Sequence, residues 1–242
     1  MIKAFSLGIF LLVCSDSLFA DTRVWDFNDI EPGSTPAGWK IMSAESSPSN
    51  ATVDHDGTPT VTWAAKEVTT VPGASEGNMV MSLTAHNGSS YEYGHHCWTD
   101  ELEFSDGTIE VDMAAHDGKK GHMGIAFRIQ DKNTYYAIRF QSNNGDVQTI
   151  DVKDGVIQYR TSSTRVASLA GYDIWRKLKV VVEGANIKVF VDDQQYLDYT
   201  DDTDPITAAG GFGLFSRGDV SLVSFDNFSV TAENIASVKP NQ

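Results

Sequence analysis

The chain has few cysteines and few basic residues. Only Cys14 and Cys97 occur among its 242 residues, which excludes a disulfide-rich scaffold. The 18 lysines and arginines stand against 33 aspartates and glutamates, so the net charge is −15. An acidic surface of this kind repels phosphate backbones and anionic headgroups. The composition therefore disfavours nucleic acid and membrane surfaces as partners.

Long apolar runs are absent except at the N terminus. There, Lys3 precedes an apolar run over residues 4–14, and Ser17-Leu-Phe-Ala20 precedes Asp21. This order is typical of a signal peptide cleaved after Ala20. The run is too short to cross a hydrocarbon core of roughly 30 Å as a helix. We predict a signal peptide over residues 1–20 and a periplasmic or extracellular protein without membrane insertion.

The cysteine within that run leaves a second interpretation open. A lipoprotein would be anchored through Cys14, although Val13 occupies the position where lipoprotein signals usually have a small residue. If Cys14 leaves with the signal peptide, Cys97 has no partner for a disulfide within the mature chain. The stability of the mature chain must then come from its core.

Amphipathic helix patterns are also missing. From Arg23 onward the chain repeats short runs with apolar residues at every second position, each closed by Gly, Asn or Asp. About fourteen such runs predict antiparallel strands, too many for one open sheet. Residues 31–57 and 162–172 lack the alternation and are predicted to be surface loops, and residues 201–204 a solvated turn. The predicted fold class is all-β, with two packed antiparallel sheets.

The length of the chain is normal for one β-sandwich. We therefore predict a single domain over residues 21–232 and a C-terminal tail over residues 233–242. The sequence does not reveal the oligomeric state.

Three motifs together resemble a known superfamily. They are Asp106-Gly-Thr-Ile-Glu-Val-Asp112, the segment 127–139 and the segment 213–230. The chain is similar to exported bacterial domains of the concanavalin A-like superfamily, namely LamG-like and 3-keto-disaccharide-hydrolase-like domains related to family 16 glycoside hydrolases. The resemblance implies a jelly-roll sandwich and a carbohydrate partner. It leaves the activity open, because such domains bind, cleave or accompany sugars.

Alternation predicts a polar face across three consecutive strands. In each strand the apolar set should face the core and the intervening residues should point away from it. The inward residues are Ile109, Val111, Met113, Ile125, Phe127, Ile129, Tyr136, Ile138 and Phe140. The outward residues, which we predict to bind carbohydrate on a concave sheet face, are Glu110, Asp112, Arg128, Gln130, Tyr135 and Arg139. Sugar grooves combine rings for stacking with polar groups for hydrogen bonds. Cross-strand ion pairs on a solvated sheet are the alternative.

No catalytic residue is predicted. The resemblance to family 16 enzymes implies a Glu-x-Asp-x-x-Glu motif with a nucleophile and an acid/base. The matching segment has Glu110 and Asp112 but ends in Ala115, so the acid/base is missing. Three functions stay open: a non-catalytic sugar-binding module, a glycoside hydrolase or other carbohydrate-active enzyme, and a structural or adhesive surface protein.

Two metal sites are considered. His116 and His122 flank the turn 117–121 and would supply two ligands for a transition metal, with His95, His96 or Cys97 as a third; exposed histidines at the end of a hairpin are the alternative. The resemblance also implies a structural Ca²⁺ that ties the terminal strands together. Asp226 matches the expected aspartate near the start of the final strand, and Asp26 lies on the first strand. Carboxylate oxygens suit this ion.

Overall fold

The computed structural model describes residues 20–43, 61–67, 79–86, 95–116, 118, 120–217 and 223–237. Within these ranges the chain forms seventeen strands and one 3-10 turn at Ala167–Leu169, and no helix is long and apolar enough to cross a membrane. The first nine strands are β1 (Asp21–Trp25), β2 (Trp39–Ser43), β3 (Val61–Glu67), β4 (Met79–His86), β5 (His95–Phe104), β6 (Gly107–Ala115), β7 (His122–Asp131), β8 (Thr134–Gln141) and β9 (Asp146–Lys153). The others are β10 (Val156–Tyr159), β11 (Thr164–Arg165), β12 (Arg176–Glu183), β13 (Asn186–Val191), β14 (Gln194–Thr200), β15 (Gly210–Arg217), β16 (Val223–Ala232) and β17 (Ala236–Ser237).

The strands form two antiparallel sheets. The eight-stranded sheet has the order β14-β13-β12-β6-β16-β4-β3, with β1 on β16. The nine-stranded sheet has the order β10-β9-β8-β7-β15-β5-β17, with β11 on β9 and β2 on β5. The predicted all-β, two-sheet architecture is therefore confirmed.

The core lies between the two sheets and contains most of the predicted inward residues, including Val111, Phe127 and Tyr136. At one end of the core, the rings of Trp25, Trp39 and Phe228 meet with centroids 5.5 to 5.7 Å apart. Aromatic burial of this kind supplies a large share of core stability. The core thus compensates for the lack of disulfides in the described residues, where Cys97 is a free, buried thiol.

Four predictions about connections are wrong. The segment 31–57 contains a strand, β2, which pairs with β5. The segment 162–172 contains a short strand, β11, which pairs with β9. The loop 201–204 is not fully solvated, because Asp201 is buried. The most consequential error concerns the turn 117–121, predicted as the turn of a hairpin. The strand before it, β6, belongs to the eight-stranded sheet, whereas the strand after it, β7, belongs to the nine-stranded sheet.

Candidate functional site

The six predicted binding residues lie in three separate places. Glu110 and Asp112 are half-buried on β6, on the face of the eight-stranded sheet that points away from the core. They lie opposite Lys179 and Lys177 of β12 in the strand register. Opposite charges on neighbouring strands match the cross-strand alternative. The prediction that these two acids share a face with residues of β7 and β8 is wrong, because the strands belong to different sheets.

Arg128 is fully buried at one end of the sandwich. Its guanidinium donates to three backbone carbonyls, of Ser105 at 2.8 Å, Gly184 at 2.7 Å and Ile206 at 2.6 Å. It also donates to the carboxylate of Asp106 at 2.9 Å. Burial lowers the pKa of Arg128, and the Asp106 carboxylate opposes this shift. Arg128 therefore fastens three loops together, and the prediction that it is exposed to a ligand is wrong.

A bulge explains the position of Arg128. The β7–β8 register shifts between Phe127 and Asp131, and Arg128 has a φ of 49°. A bulge re-aims the side chains that follow it. Ile129, predicted inward, packs instead with the apolar residues on the outer side of the sheet. Gln130 donates from its amide to the carbonyls of Arg128 and Ala209 at 3.3 and 3.0 Å, so it too holds a loop.

Tyr135 and Arg139 remain together, on the face of the nine-stranded sheet that points away from the core. We call this the outer face. Tyr135 is 1% exposed and Arg139 is 6% exposed, so the prediction that both are exposed is wrong. Burial also raises the pKa of the Tyr135 phenol. Tyr135 cannot serve as an open stacking platform in this arrangement.

Aromatic rings fill the centre of the outer face. The ring of His96 on β5 lies 4.9 Å from that of Tyr135 on β8, edge to face, and 5.4 Å from that of Phe215. Two strands, β15 and β7, separate β5 from β8. Their residues Gly213 and Ala126 lie opposite each other in the register. These small residues let the larger rings from the flanking strands meet over them.

A polar rim borders this centre at β8, β9 and the edge strand. We define the rim by Arg139, Asp146, Gln148, Tyr159 and Ser163. Arg139 donates to the Asp146 carboxylate at 2.7 Å and also bonds to the Gln148 side-chain oxygen. Ser163 donates to the other Asp146 oxygen at 2.6 Å. The Tyr159 ring lies 5.8 Å from the Arg139 guanidinium and is 43% exposed. The rim thus presents an exposed aromatic ring beside a buried, fixed ion pair.

Sequence reasoning missed four of these five rim residues. Tyr159 shares the register position of Ile150 on β9, and Gln148 shares that of Arg139 on β8. Knowledge of the strand order would have placed Tyr159, Gln148 and Arg139 on one face. The alternation within each run was visible, but the pairing of the runs was not.

The histidines do not form the metal site that the sequence left open as one of two alternatives. His116 follows β6 and lies on the outer side of the eight-stranded sheet. Its Nδ1 lies 3.8 Å from the Asp173 carboxylate, and its ring centroid lies 6.4 Å from that of Trp175. His122 starts β7 of the other sheet. In the described part of the chain, no three His, Cys, Asp or Glu side chains are grouped to hold a metal ion. The metal pair across a hairpin is therefore wrong, and so is the alternative of exposed hairpin histidines, because His116 and His122 are both buried.

Asp26 and Asp226 lie at the junction of the first strand with a late strand. β1 pairs with β16 up to Trp25 and Phe228, which places residue 26 next to residue 227. Asp26 is exposed, whereas Asp226 is 7% exposed and faces Asp112 in the register. Two carboxylates directly opposite each other repel. A cation would relieve that repulsion, but backbone carbonyls would have to complete its ligands.

The two-sheet sandwich with its aromatic and polar outer face defines a jelly-roll protein of the concanavalin A-like class. Residues 26–231 match the family described as the 3-keto-alpha-glucoside-1,2-lyase-like domain, and the chain belongs to this family. No curated protein sequence matches the chain significantly.

Solved structures share the fold. One is the family 16 protein from the Bacteroides ovatus mixed linkage glucan locus in complex with a G4G4G3G product, with a TM-score of 0.56, 10% identity and coverage of 86% of this chain and 99% of that chain. A family 16 endo-glucanase from Bacteroides ovatus in complex with G4G3G-2F-DNP has a TM-score of 0.55, 12% identity and the same coverage, 86% and 99%. Domain 4 of AbnA, a family 43 extracellular arabinanase from Geobacillus stearothermophilus, in complex with arabinotriose, has a TM-score of 0.50, 12% identity and coverage of 88% and 93%. At these identities the likeness concerns the fold alone.

Proposed function

We propose that this chain is an exported carbohydrate-active protein that binds a glycoside at the rim of the outer face and processes it. One observation carries the proposal: the 43% exposed ring of Tyr159 lies beside the fixed Arg139–Asp146 pair. A sugar ring stacks its apolar face on an aromatic ring, and its hydroxyl groups bond to planar polar groups such as the Gln148 amide.

The family description supports lyase chemistry on a 3-keto-α-glucoside. A carbonyl group at C3 of the sugar makes the hydrogen on C2 acidic. Its removal, with loss of the group on C1, breaks the glycosidic bond without a nucleophilic carboxylate. This route suits a chain in which the family 16 motif ends at Ala115, a buried alanine in place of the acid/base.

Binding without turnover is the second candidate. It is favoured by the incomplete family 16 motif and by the buried centre of the outer face, where Tyr135 and His96 are enclosed. The two candidates share the rim but differ in chemistry. An assay that follows binding and product formation on one preparation separates them.

The test is a glycan array, which includes 3-keto-glucosides, run in parallel with product analysis. Tyr159→Ala should weaken binding of the best glycan about tenfold or more, which corresponds to roughly 1.4 kcal/mol. Tyr172→Ala is the matched control, because Tyr172 is also exposed but lies on the loop before β12. Equal binding by the Tyr159→Ala variant and the control would contradict the proposed site.

Export is part of this proposal, and it depends on residues 1–19, which lie outside the described residues. The charge pattern and the apolar run support a signal peptide cleaved after Ala20. Intact mass spectrometry of the exported protein should then show a chain that begins at Asp21. A lipid on Cys14 or an unprocessed Met1 would contradict it.

A structural Ca²⁺ at the β1–β16 junction is also proposed, with Asp26 and Asp226 among its ligands. The burial of Asp226 and its position opposite Asp112 support a compensating cation there. Hard oxygen ligands suit Ca²⁺. The ion would stabilise the sandwich and take no part in the chemistry at the rim.

A further inference from the structure

The first strand of the sandwich is held by few contacts. Among the described strands, β1 pairs with β16 alone, and its residues 21–24 are exposed. Trp25 is the residue of β1 that reaches the core, where its ring lies 5.6 to 5.7 Å from the rings of Trp39, Phe212 and Phe228. A strand with so little buried surface opens at a low cost in free energy. A further contact at its N-terminal end therefore has a measurable effect on how firmly it is seated.

This strand begins beside an acidic pocket. In the strand register, Ala20 precedes β1 and comes to lie opposite Glu233, which follows the last paired residue of β16. Ala20 and Glu233 line a pocket of about 380 Å³, together with the acids Asp106 and Glu183. Ala20 is also the last residue of the predicted signal peptide. Cleavage after Ala20 leaves the nitrogen of Asp21 as a charged ammonium group at the mouth of this pocket.

Two of the three carboxylates at the pocket already have cationic partners. Asp106 accepts a hydrogen bond from Arg128 at 2.9 Å, and the carboxylate of Glu183 lies 3.2 Å from the ammonium group of Lys188. Glu233 has no ion pair and no side-chain hydrogen bond with another described residue. Glu233 is therefore the carboxylate that is available to a new ammonium group at the start of β1.

We propose that cleavage after Ala20 frees an ammonium group on Asp21 that pairs with Glu233, so that β1 is seated firmly only in the processed chain. This inference rests on the export that forms part of the proposed function, and it is independent of the chemistry at the rim. In the precursor, the same nitrogen belongs to a neutral amide bond and cannot form the ion pair. Removal of the signal peptide then completes the packing of Trp25 at the end of the core.

The pairing implies a pH dependence of stability. The α-amino group of an unfolded chain has a pKa of about 7.7 to 8.0, and a nearby carboxylate raises this pKa in the folded chain. The stability that the pair contributes is fully present below the unfolded pKa and is lost as the pH rises through the folded pKa.

Other charged groups near the ammonium group compensate one another. The side chains of Asp21 and Arg23 on β1 lie 2.9 Å apart, and the two remaining acids of the pocket, Asp106 and Glu183, have the cationic partners given above. Glu233 thus supplies the uncompensated negative charge. The pairing should therefore depend on Glu233 more than on any other acid of the pocket.

The test compares three chains with defined N termini. One begins at Asp21, the second is the same chain with an acetylated α-amino group, and the third begins at Ser17. At about pH 6.5 the chain that begins at Asp21 should melt about 2 to 4 °C higher than the other two, and at about pH 10 all three should melt together. Glu233→Gln should remove the difference at the lower pH. Glu31→Gln, which changes an exposed acid outside the pocket, is the matched control and should preserve the difference.

Equal melting temperatures for the three chains at the lower pH overturn the inference. A difference that persists at the higher pH or in the Glu233→Gln chain also overturns it, because such a difference comes from the length of the N terminus and not from its charge. If Glu233→Gln fails to fold, the pKa of the α-amino group in the chain that begins at Asp21 decides, followed by its rate of acylation against pH. A pKa no higher than that of the urea-unfolded chain overturns the pairing, and a higher pKa supports it.

Failure of the proposed function is distinguishable from failure of this inference. An exported protein whose intact mass shows an uncleaved or lipidated chain contradicts export with cleavage after Ala20, and the inference falls with it. Loss of the proposed glycan site at Tyr159 leaves the melting comparison unchanged, because that comparison involves no ligand.

Discussion

The hydroxyl group of Tyr136 donates a 2.6 Å hydrogen bond to the carboxylate of Asp201, and both side chains are buried. Asp201 also accepts a hydrogen bond from Lys153 at 2.8 Å and one from Thr203 at 3.0 Å. Tyr136 and Lys153 belong to the nine-stranded sheet, whereas Asp201 follows β14 of the other sheet. This network therefore joins the edges of the two sheets.

The network should make stability depend on pH. Burial alone would raise the pKa of Asp201, but hydrogen bonds from Lys153, Tyr136 and Thr203 outweigh burial and hold that pKa well below its ordinary value. A carboxyl whose pKa is lower in the folded state contributes stability above the unfolded pKa, and this contribution is lost as the pH falls through the folded pKa.

Replacement of Tyr136 by phenylalanine tests the network. Tyr136→Phe removes a donor from a buried carboxylate and should lower the unfolding free energy by about 1.5 to 3 kcal/mol at pH 7. In urea denaturation at a series of pH values, the contribution of Asp201 to wild-type stability should begin to fall below about pH 4, where the unfolded carboxyl becomes protonated. The deficit of Tyr136→Phe should stay constant to lower pH and shrink only as the pH falls through the lowered pKa of the folded carboxyl. A Tyr136→Phe variant as stable as wild type at pH 7 would contradict the network.

Arg128, predicted as an exposed site residue, should be costly to remove because it is buried. Arg128→Ala leaves the carbonyls of Ser105, Gly184 and Ile206 without their donor, and we expect a loss of about 3 to 5 kcal/mol in denaturant unfolding. Arg128→Lys should recover little, because an ammonium group cannot reproduce the guanidinium fork. Arg23→Ala is the control, since its ion pair with Asp21 is half-exposed and worth at most about 1 kcal/mol. Equal effects at both arginines would contradict the clamp.

The fold class could be read from the sequence because alternation and turn residues are local signals. The predicted carbohydrate-binding face could not be derived from the sequence, because it depends on which strands become neighbours. Residues 117–121 have the sequence of a hairpin turn, yet β6 before them and β7 after them belong to different sheets. Packed sheets lie about 10 Å apart, a gap that a short loop bridges as easily as it turns a hairpin. Glu110 and Asp112 were therefore assigned to the wrong surface.

The assignment of Arg128 failed for a different reason. Alternation holds only while the backbone stays extended, and Arg128 has a positive φ. One such residue changes the face of every side chain that follows it until the register is restored. Ile129, predicted to face the core, therefore packs on the outer side of the sheet. Tyr135 and Arg139 come after the turn at residues 131–134, where the register is restored, and their shared face was predicted correctly.

The proposed calcium site predicts that chelation lowers the melting temperature. At a calcium concentration of a hundred times Kd the ion would stabilise the folded state by about 2.7 kcal/mol, which is roughly 5 to 10 °C for a domain of this size. Asp226→Ala should abolish the response to chelator, and Asp29→Ala, which removes another exposed acid near β1, should preserve it. Identical melting curves for wild type with chelator and with excess Ca²⁺ would contradict the site.

The last prediction concerns Tyr135, whose burial changes what its removal should do. An exposed stacking residue could be removed with little effect on folding, but Tyr135 is 1% exposed and packs against His96. Tyr135→Ala should therefore destabilise the protein by about 3 to 5 kcal/mol, as should Phe127→Ala in the central core, because each leaves a cavity. Glu110→Ala, on the half-buried face of the other sheet, should change stability by no more than about 0.5 kcal/mol. Urea denaturation of the three variants checks this order. A Tyr135→Ala variant as stable as Glu110→Ala would show that the centre of the outer face is open in solution. Tyr135 would then regain its predicted role as a stacking platform, next to Tyr159 at the rim.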